Sequence, residues 1–253
     1  MYLSVYKKKA VISGKQIELY EYETEVVYGY KDKKRGIIRG RSSEASEEDK
    51  ELNREKVFNR ARRDLRRIIN CNYTDKSKFL TLTFKDADEV SMDIKKANYE
   101  LKKFIQRLNY YLGYKLAYSC VPEIQEERYE KYGVLVWHYH LVLYNVPQKL
   151  DVKKLASLWN KGFIKINVIE NVDNVGAYIC KYMTKNHKDR LKGEKMYFNS
   201  RGLIKPTEIK EADIVGALVG SLQNQPCKFE SKFSNDYNTI LYKQYIVQNT
   251  ENQ

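Results

Sequence analysis

Two histidines offer the clearest chemistry in this 253-residue sequence, which contains only three histidines in all. His138 and His140 lie in the apolar run 134–143, which is typical of a central β-strand. Because alternate side chains of a strand point to the same face, both imidazoles should lie on one side of a sheet. Such a pair can bind one divalent cation, and a buried structural pair is the alternative interpretation. His187 has no partner in the sequence, and we assign it no role.

A carboxylate on the preceding strand could complete this metal site. Residues 115–125 and 133–145 each predict a strand, and the segment 126–132 between them predicts a polar loop. If the two strands pair antiparallel, Glu123 lies across from the histidines. Two imidazoles and one carboxylate suit Mg²⁺ or Mn²⁺, with positions left for a phosphate oxygen and for water.

Two tyrosines on a predicted helix over residues 172–186 offer a nucleophile. Tyr178 and Tyr182 are spaced i,i+4, so their rings should lie one above the other beside an apolar stripe. A lysine next to a tyrosine favours the phenolate and neutralises a phosphate. Tyrosines at the edge of such a stripe are more often packing residues, and the chain has 22 tyrosines, so both interpretations stay open. The stripe itself comprises Val172, Val175, Ile179 and Met183.

The order of these patterns resembles the three motifs of the HUH endonuclease superfamily. The motifs are the strand FLTLTF at 79–84, the His-Tyr-His of 138–140 and the Tyr-x-x-Lys-Tyr-x-x-Lys of 178–185. The segments LWNKGF at 158–163 and RGLIKP at 201–206 are also similar to that superfamily. The resemblance covers roughly residues 75–206 and is strongest to the rolling-circle replication initiators of small phages and plasmids, which carry paired tyrosines.

The resemblance implies an enzyme that nicks and joins single-stranded DNA with a divalent metal, Mg²⁺ or Mn²⁺, and a tyrosine nucleophile. The tyrosine would form a 5′-phosphotyrosine link and free a 3′-hydroxyl, which a host polymerase could extend. The residues carried over are the metal ligands His138, His140 and Glu123 and the catalytic set Tyr178, Tyr182, Lys181 and Lys185. Either tyrosine fits the role of nucleophile. A plasmid relaxase, a single-strand transposase and a non-catalytic DNA-binding module are the alternatives.

The balance of charge favours a nucleic-acid partner. The chain has 46 Lys and Arg against 33 Asp and Glu, a formal net charge of +13. Residues 181–210 concentrate nine basic residues against three acidic ones, with Tyr197 among them, a pattern that suits phosphate contact and base stacking. A solvated basic loop is the alternative interpretation. The predicted DNA-binding residues are Lys188, Arg190, Lys192, Lys195, Tyr197, Arg201 and Lys205.

The predicted elements indicate an α+β fold with a single central antiparallel sheet packed by helices. We expect a nickase domain over residues 1–210, in which a hairpin within 1–30 extends the sheet, and a C-terminal extension, 211–253, of unknown role. The predicted helices are those beginning near Ser46 and those over 93–111, 150–159, 172–186 and 215–222; the remaining predicted strands are 78–84 and 162–169, and 31–45 is a predicted loop.

Several classes of protein are disfavoured by what the sequence lacks. No stretch of 18 apolar residues occurs, and the N-terminus has no apolar signal segment, so we expect a protein of the bacterial host cytoplasm, without a membrane. The four scattered cysteines form no CxxC pair, which disfavours a zinc ribbon. No GxxxxGK[ST] motif occurs, so unwinding should come from a host helicase acting with the protein at single-stranded DNA of a replication origin, or at a hairpin there.

Overall fold

The computed structural model of the chain describes residues 4–28, 46–168, 174–183, 191, 193–235 and 237–247. Several sequence predictions lie outside these residues: the loop 31–45, Val172, Lys185, His187, Lys188, Arg190 and Lys192. Two compact units are formed, one by residues 1–53 and 205–253 and the other by residues 54–204.

The elements alternate short strands with helices, as the sequence indicated. The strands are β1 (Ser4–Ser13), β2 (Gln16–Tyr28), β3 (Lys78–Phe84), β4 (Tyr118–Ile124), β5 (Trp137–Leu143), β6 (Gly162–Val168), β7 (Phe198–Asn199), β8 (Thr207–Ile209), β9 (Cys227–Asn235) and β10 (Asn238–Ile246). The helices are α1 (Glu47–Asn72), α2 (Glu89–Met92), α3 (Ile94–Leu112), α4 (Glu126–Tyr132), α5 (Val152–Trp159), α6 (Val175–Ile179) and α7 (Ala212–Ser221). A 3₁₀ turn, Cys180–Tyr182, continues α6.

The unit of residues 54–204 is built on a five-stranded antiparallel sheet in the order β6-β3-β5-β4-β7. Side chains alternate along its strands, so each strand presents two different faces. On one face Leu80 and Leu141 pack with apolar residues of α3 and α5. On the other face Phe79 and Val142 pack with α1 and α6. The sheet is therefore covered by helices on both sides, and the predicted α+β fold is confirmed.

Residues 4–28 form a hairpin, as predicted, but they do not extend this sheet. β1 and β2 belong to a second five-stranded antiparallel sheet, in the order β8-β1-β2-β10-β9, within the unit of residues 1–53 and 205–253. The prediction of an extension was wrong because β2 pairs with β10, which lies more than 200 residues along the chain. The predicted functional boundary at residue 210 stays a prediction.

Three local predictions needed correction. The polar segment 126–132 is the helix α4, not a loop. Its acidic first turn and Lys131 in the last turn suit the helix dipole, and Gly133 ends it in the left-handed conformation at φ 68°. The predicted strand 133–145 is shorter, from Trp137 to Leu143. Residues 227–246, which gave no clear pattern in the sequence, form the hairpin β9–β10. In the part of the chain that the structure describes, no helix is both long and apolar enough to cross a membrane.

Candidate metal centre and tyrosine helix

The predicted metal ligands meet at one end of the sheet of residues 54–204. Glu123 on β4 lies directly opposite His138 on β5. Thr83 on β3 lies opposite the same histidine from the other side. One position along, Thr81 lies opposite His140. Directly opposed residues of an antiparallel pair point to the same face, so all five side chains lie on the face that α1 and α6 cover.

One carboxylate oxygen joins the two imidazoles. Glu123 Oε2 lies 2.8 Å from His138 Nε2 and 2.5 Å from His140 Nε2. The other ring nitrogen of His140, Nδ1, lies 3.2 Å from the hydroxyl of Thr81. If Nδ1 carries the proton and donates it to Thr81, the lone pair of Nε2 points at the centre of the cluster. Such an outer partner fixes the tautomer and orientation of a metal-binding histidine.

The charge state of these groups suits a divalent cation. Burial by itself would raise the pKa of Glu123, but the two imidazoles beside it outweigh burial and bring the pKa to about 2. Burial lowers the pKa of His140, against the opposing effect of Glu123. At neutral pH the cluster therefore contains an ionised carboxylate and a neutral His140 ring, which are the forms that bind metals.

His138 provides a test of whether a cation fits. Its Nε2 is buried and has no aligned hydrogen-bond partner among the residues that the structure describes, although Glu123 Oε2 is close to it. A buried polar atom without a partner is costly unless a water or an ion satisfies it. Glu123, His138 and His140 offer three ligand atoms that lie within 4.8 Å of one another. These three residues could hold a metal ion.

The tyrosine pair lies on the same face of the sheet as the histidines. The ring of Tyr182 stacks on His140, with centroids 3.8 Å apart and planes 20° apart. It also stacks on Phe79 at 5.5 Å. Tyr178 packs edge-on against Tyr182 at 6.2 Å, and Lys181 Nζ lies 5.4 Å from the Tyr178 ring centre. Burial, the Tyr178 phenol and the charge of Glu123 together raise the pKa of Tyr182.

Contacts with α1 position the tyrosine helix. Asn174 caps α6, since its Oδ1 accepts the N–H of Ala177. Asn70 of α1 accepts the N–H of Gly176 at 2.9 Å and donates to Asn174. A Cβ on Gly176 would lie 2.3 Å from the Arg66 carbonyl oxygen, so only glycine permits this approach of the two helices. The predicted stripe is confirmed where it is described, because Val175, Ile179 and Met183 are all buried.

The predicted DNA-binding residues are placed differently from one another. Lys195 is exposed, and Arg201 is exposed in a turn. Tyr197 is half-buried and packs beside the core cluster of α1 and α6. Burial raises the pKa of its phenol. Lys205 is exposed and belongs to the unit of residues 1–53 and 205–253. Tyr197 thus has a packing role that sequence reasoning did not assign to it.

Two residues around the site were missed from the sequence. Thr81 contacts His140, and Phe79 stacks on both His140 and Tyr182. Both lie in the FLTLTF strand, whose alternation was recognised but whose register against β5 was not predicted. The register is the signal that could have found them, because it places Thr81 beside His140.

Comparison with known proteins agrees with the motifs. Residues 77–187 match the model of a family of replication-associated proteins, the ORF2 family. No curated protein and no solved structure gives a significant match to the chain. The family match spans β3 to β6 with α2 to α5, and also α6 with both tyrosines. It confirms the resemblance to rolling-circle replication initiators, and residues 77–187 are those of a replication-associated protein of the ORF2 type.

Proposed function

We propose that this protein is a rolling-circle replication initiator that nicks and rejoins single-stranded DNA at a replication origin of a phage or plasmid, in the cytoplasm of a bacterial host. One observation carries the proposal: a Glu123-His138-His140 cluster with the Tyr182 ring stacked on one of its histidines. The match to replication-associated proteins supports the same activity.

The cluster would hold the metal through His138 Nε2, His140 Nε2 and a Glu123 oxygen. A bound Mg²⁺ or Mn²⁺ would polarise a non-bridging oxygen of the scissile phosphate and offset its charge. Thr81 would keep His140 in the tautomer that presents Nε2. The apolar residues beneath the cluster exclude water from its inner side, which strengthens every charge interaction within it.

A tyrosine oxygen would then attack the phosphorus in line. The new Oη–P bond forms as the P–O3′ bond breaks, and the departing 3′ oxygen takes up a proton to become a hydroxyl. The 5′-phosphotyrosine keeps the energy of the broken ester, so the 3′-hydroxyl can later attack it and rejoin the strand. Tyr182 is the residue stacked on a metal ligand, and Tyr178 lies one turn away in position to act in a second transfer.

Cationic side chains would neutralise the phosphates of the bound strand. Lys181 is exposed beside Tyr178, and phosphoryl transfer depends mainly on positioning and on charge neutralisation. We assign Lys185 to the same task. Backbone contact is assigned to Lys188, Arg190, Lys192, Lys195, Arg201 and Lys205, together with Tyr197. A host helicase and polymerase would supply unwinding and extension of the 3′-hydroxyl.

The proposal is tested by incubating the protein with labelled single-stranded origin DNA and Mn²⁺ and resolving the products on a denaturing gel. We expect a covalent adduct that is lost in EDTA and in the Tyr178→Phe/Tyr182→Phe double variant. His138→Ala should lose the adduct while it retains DNA binding. Binding of origin DNA without an adduct at any metal concentration would instead identify a non-catalytic DNA-binding module.

A further inference from the structure

The edge strand β6 presents an unusual side-chain row next to the candidate metal centre. The first row of directly opposed residues across the sheet runs Phe163, Thr83, His138 and Glu123. In the next row Lys165 lies opposite Thr81. Since opposed residues share a face, Phe163 and Lys165 lie on the face that carries the histidines.

The exposure of the first row increases from the metal centre towards the edge. The side chains of Glu123 and His138 are 16% and 14% exposed, Thr83 is partly exposed, and Phe163 is 68% exposed. Strands lie 4.7–4.9 Å apart, so Phe163 is roughly 10 Å from His138 across the sheet. Among the described residues, the candidate metal centre therefore opens towards β6.

Phe163 and Lys165 have no structural task that explains their positions. The neighbouring residues Ile164 and Ile166 point to the opposite face and supply the packing of β6. No ring among the described residues stacks on Phe163, and no carboxylate among them pairs with Lys165. A large apolar ring left open beside an unpaired cation is the arrangement that proteins use to bind single strands, through base stacking and phosphate contact.

The backbone holds this part of β6 firmly against β3. Gly162 has φ 157°, and a Cβ there would lie 2.2 Å from the Thr83 carbonyl oxygen. The indole N–H of Trp159 donates to the same oxygen at 3.1 Å. Phe163 follows directly from this fixed point, so its ring is presented from a rigid strand, which is the kind of element that positions a binding residue well.

We propose that Phe163 stacks on a base of the single strand close to the scissile phosphate and that Lys165 contacts a neighbouring phosphate. This inference rests on the proposed function for the identity of the ligand. The strand would cross from the metal centre over Thr83 to the edge of the sheet. The open row and the basic composition of the chain, with a net charge of +13, both suit this occupant.

The test measures affinity for a fluorescent single-stranded oligonucleotide by anisotropy in EDTA, where no cleavage occurs. Phe163→Ala should weaken binding by about 5- to 150-fold, the range for the loss of one base–aromatic stack, and Phe163→Trp should restore it. Tyr110→Ala is the matched control, because Tyr110 is 92% exposed on α3, which packs on the opposite face of the sheet. It should bind as the wild type does.

Lys165→Ala provides a second readout, with Lys102→Ala on α3 as the control for loss of one charge. Lys165→Ala should lower the slope of log affinity against log salt by about 0.7, the value for one phosphate contact to a single strand. Equal affinities for Phe163→Ala and Tyr110→Ala, with equal slopes for the two lysine variants, would overturn the proposal. Because these measurements need no cleavage, they remain decisive even if the wild-type protein forms no covalent adduct, the result that would refute the nickase itself.

Discussion

Gly176 is the point at which one added methyl group should separate the tyrosine helix from α1. A Cβ at this position would lie 2.3 Å from the Arg66 carbonyl oxygen and 2.7 Å from Asn70 Oδ1. Ordinary van der Waals contact begins at 3.4 Å, so the helices must move apart by about 1 Å in Gly176→Ala. The oxygen of Arg66 is a backbone atom and cannot turn away as a side chain could.

The expected cost is obtained by comparison with a glycine that has room. Gly216 lies in α7, and nothing is within 4 Å of a Cβ built there. Alanine in place of a helical glycine stabilises by about 0.5–1 kcal/mol where space permits, so Gly216→Ala should be slightly more stable than the wild type. Gly176→Ala gains the same propensity but adds overpacking, and should be less stable than Gly216→Ala by about 1–3 kcal/mol.

Activity should fall further than stability suggests. A displacement of α6 by about 1 Å shifts Tyr182 from its place on His140, and a misplacement of that size can reduce a rate by about 100-fold. Urea unfolding gives the free energy of unfolding, and single-turnover adduct formation gives the rate, both measured where the variants are fully folded. Equal stability of the two variants together with wild-type rates of adduct formation would refute the packing argument.

Two further predictions follow from the burial of particular groups. Thr81→Val removes the partner of His140 Nδ1 and should weaken Mn²⁺ binding by about 10- to 100-fold in a calorimetric titration, with Thr81→Ser close to the wild type; an unchanged affinity for Thr81→Val would contradict the role of Thr81 in orienting the histidine. Among the cysteines, the exposed Cys227 should react readily with a thiol reagent, whereas Cys120 and Cys180 should react only on unfolding because burial raises the pKa of both thiols, that of Cys180 to about 11. Fast labelling of all four cysteines in the native protein would contradict this assignment.

The parts of the fold that depend on local pattern were predictable. The alternation of residues 78–84 predicted β3 with the bounds that the structure has, and the helical spacing of residues 93–111 predicted α3 to within a residue. Ser46 was recognised as a helix start, and its hydroxyl accepts the N–H of Asp49. The facing positions of Glu123 and His138 followed from a pairing of neighbouring strands in the chain.

The parts that depend on distant contacts were not predictable. β9 is exposed along almost its whole length and has no apolar face to reveal it, while β10 gains its place by pairing with β2. The stack of Tyr182 on His140 requires α6 to lie against α1 at Gly176, and nothing in the local pattern of residues 174–183 shows that approach. The sequence therefore predicted which residues belong to the candidate site more fully than how they contact one another.

The most direct test of the proposed site is a crystal structure of the protein grown with Mn²⁺ and measured at a wavelength at which manganese scatters anomalously. We predict an anomalous peak bonded to His138 Nε2, His140 Nε2 and an oxygen of Glu123, with the Tyr182 ring still stacked on His140. The peak should disappear in His138→Ala. A manganese ion bound elsewhere, or a fully formed cluster with no ion at saturating Mn²⁺, would contradict the proposed metal centre.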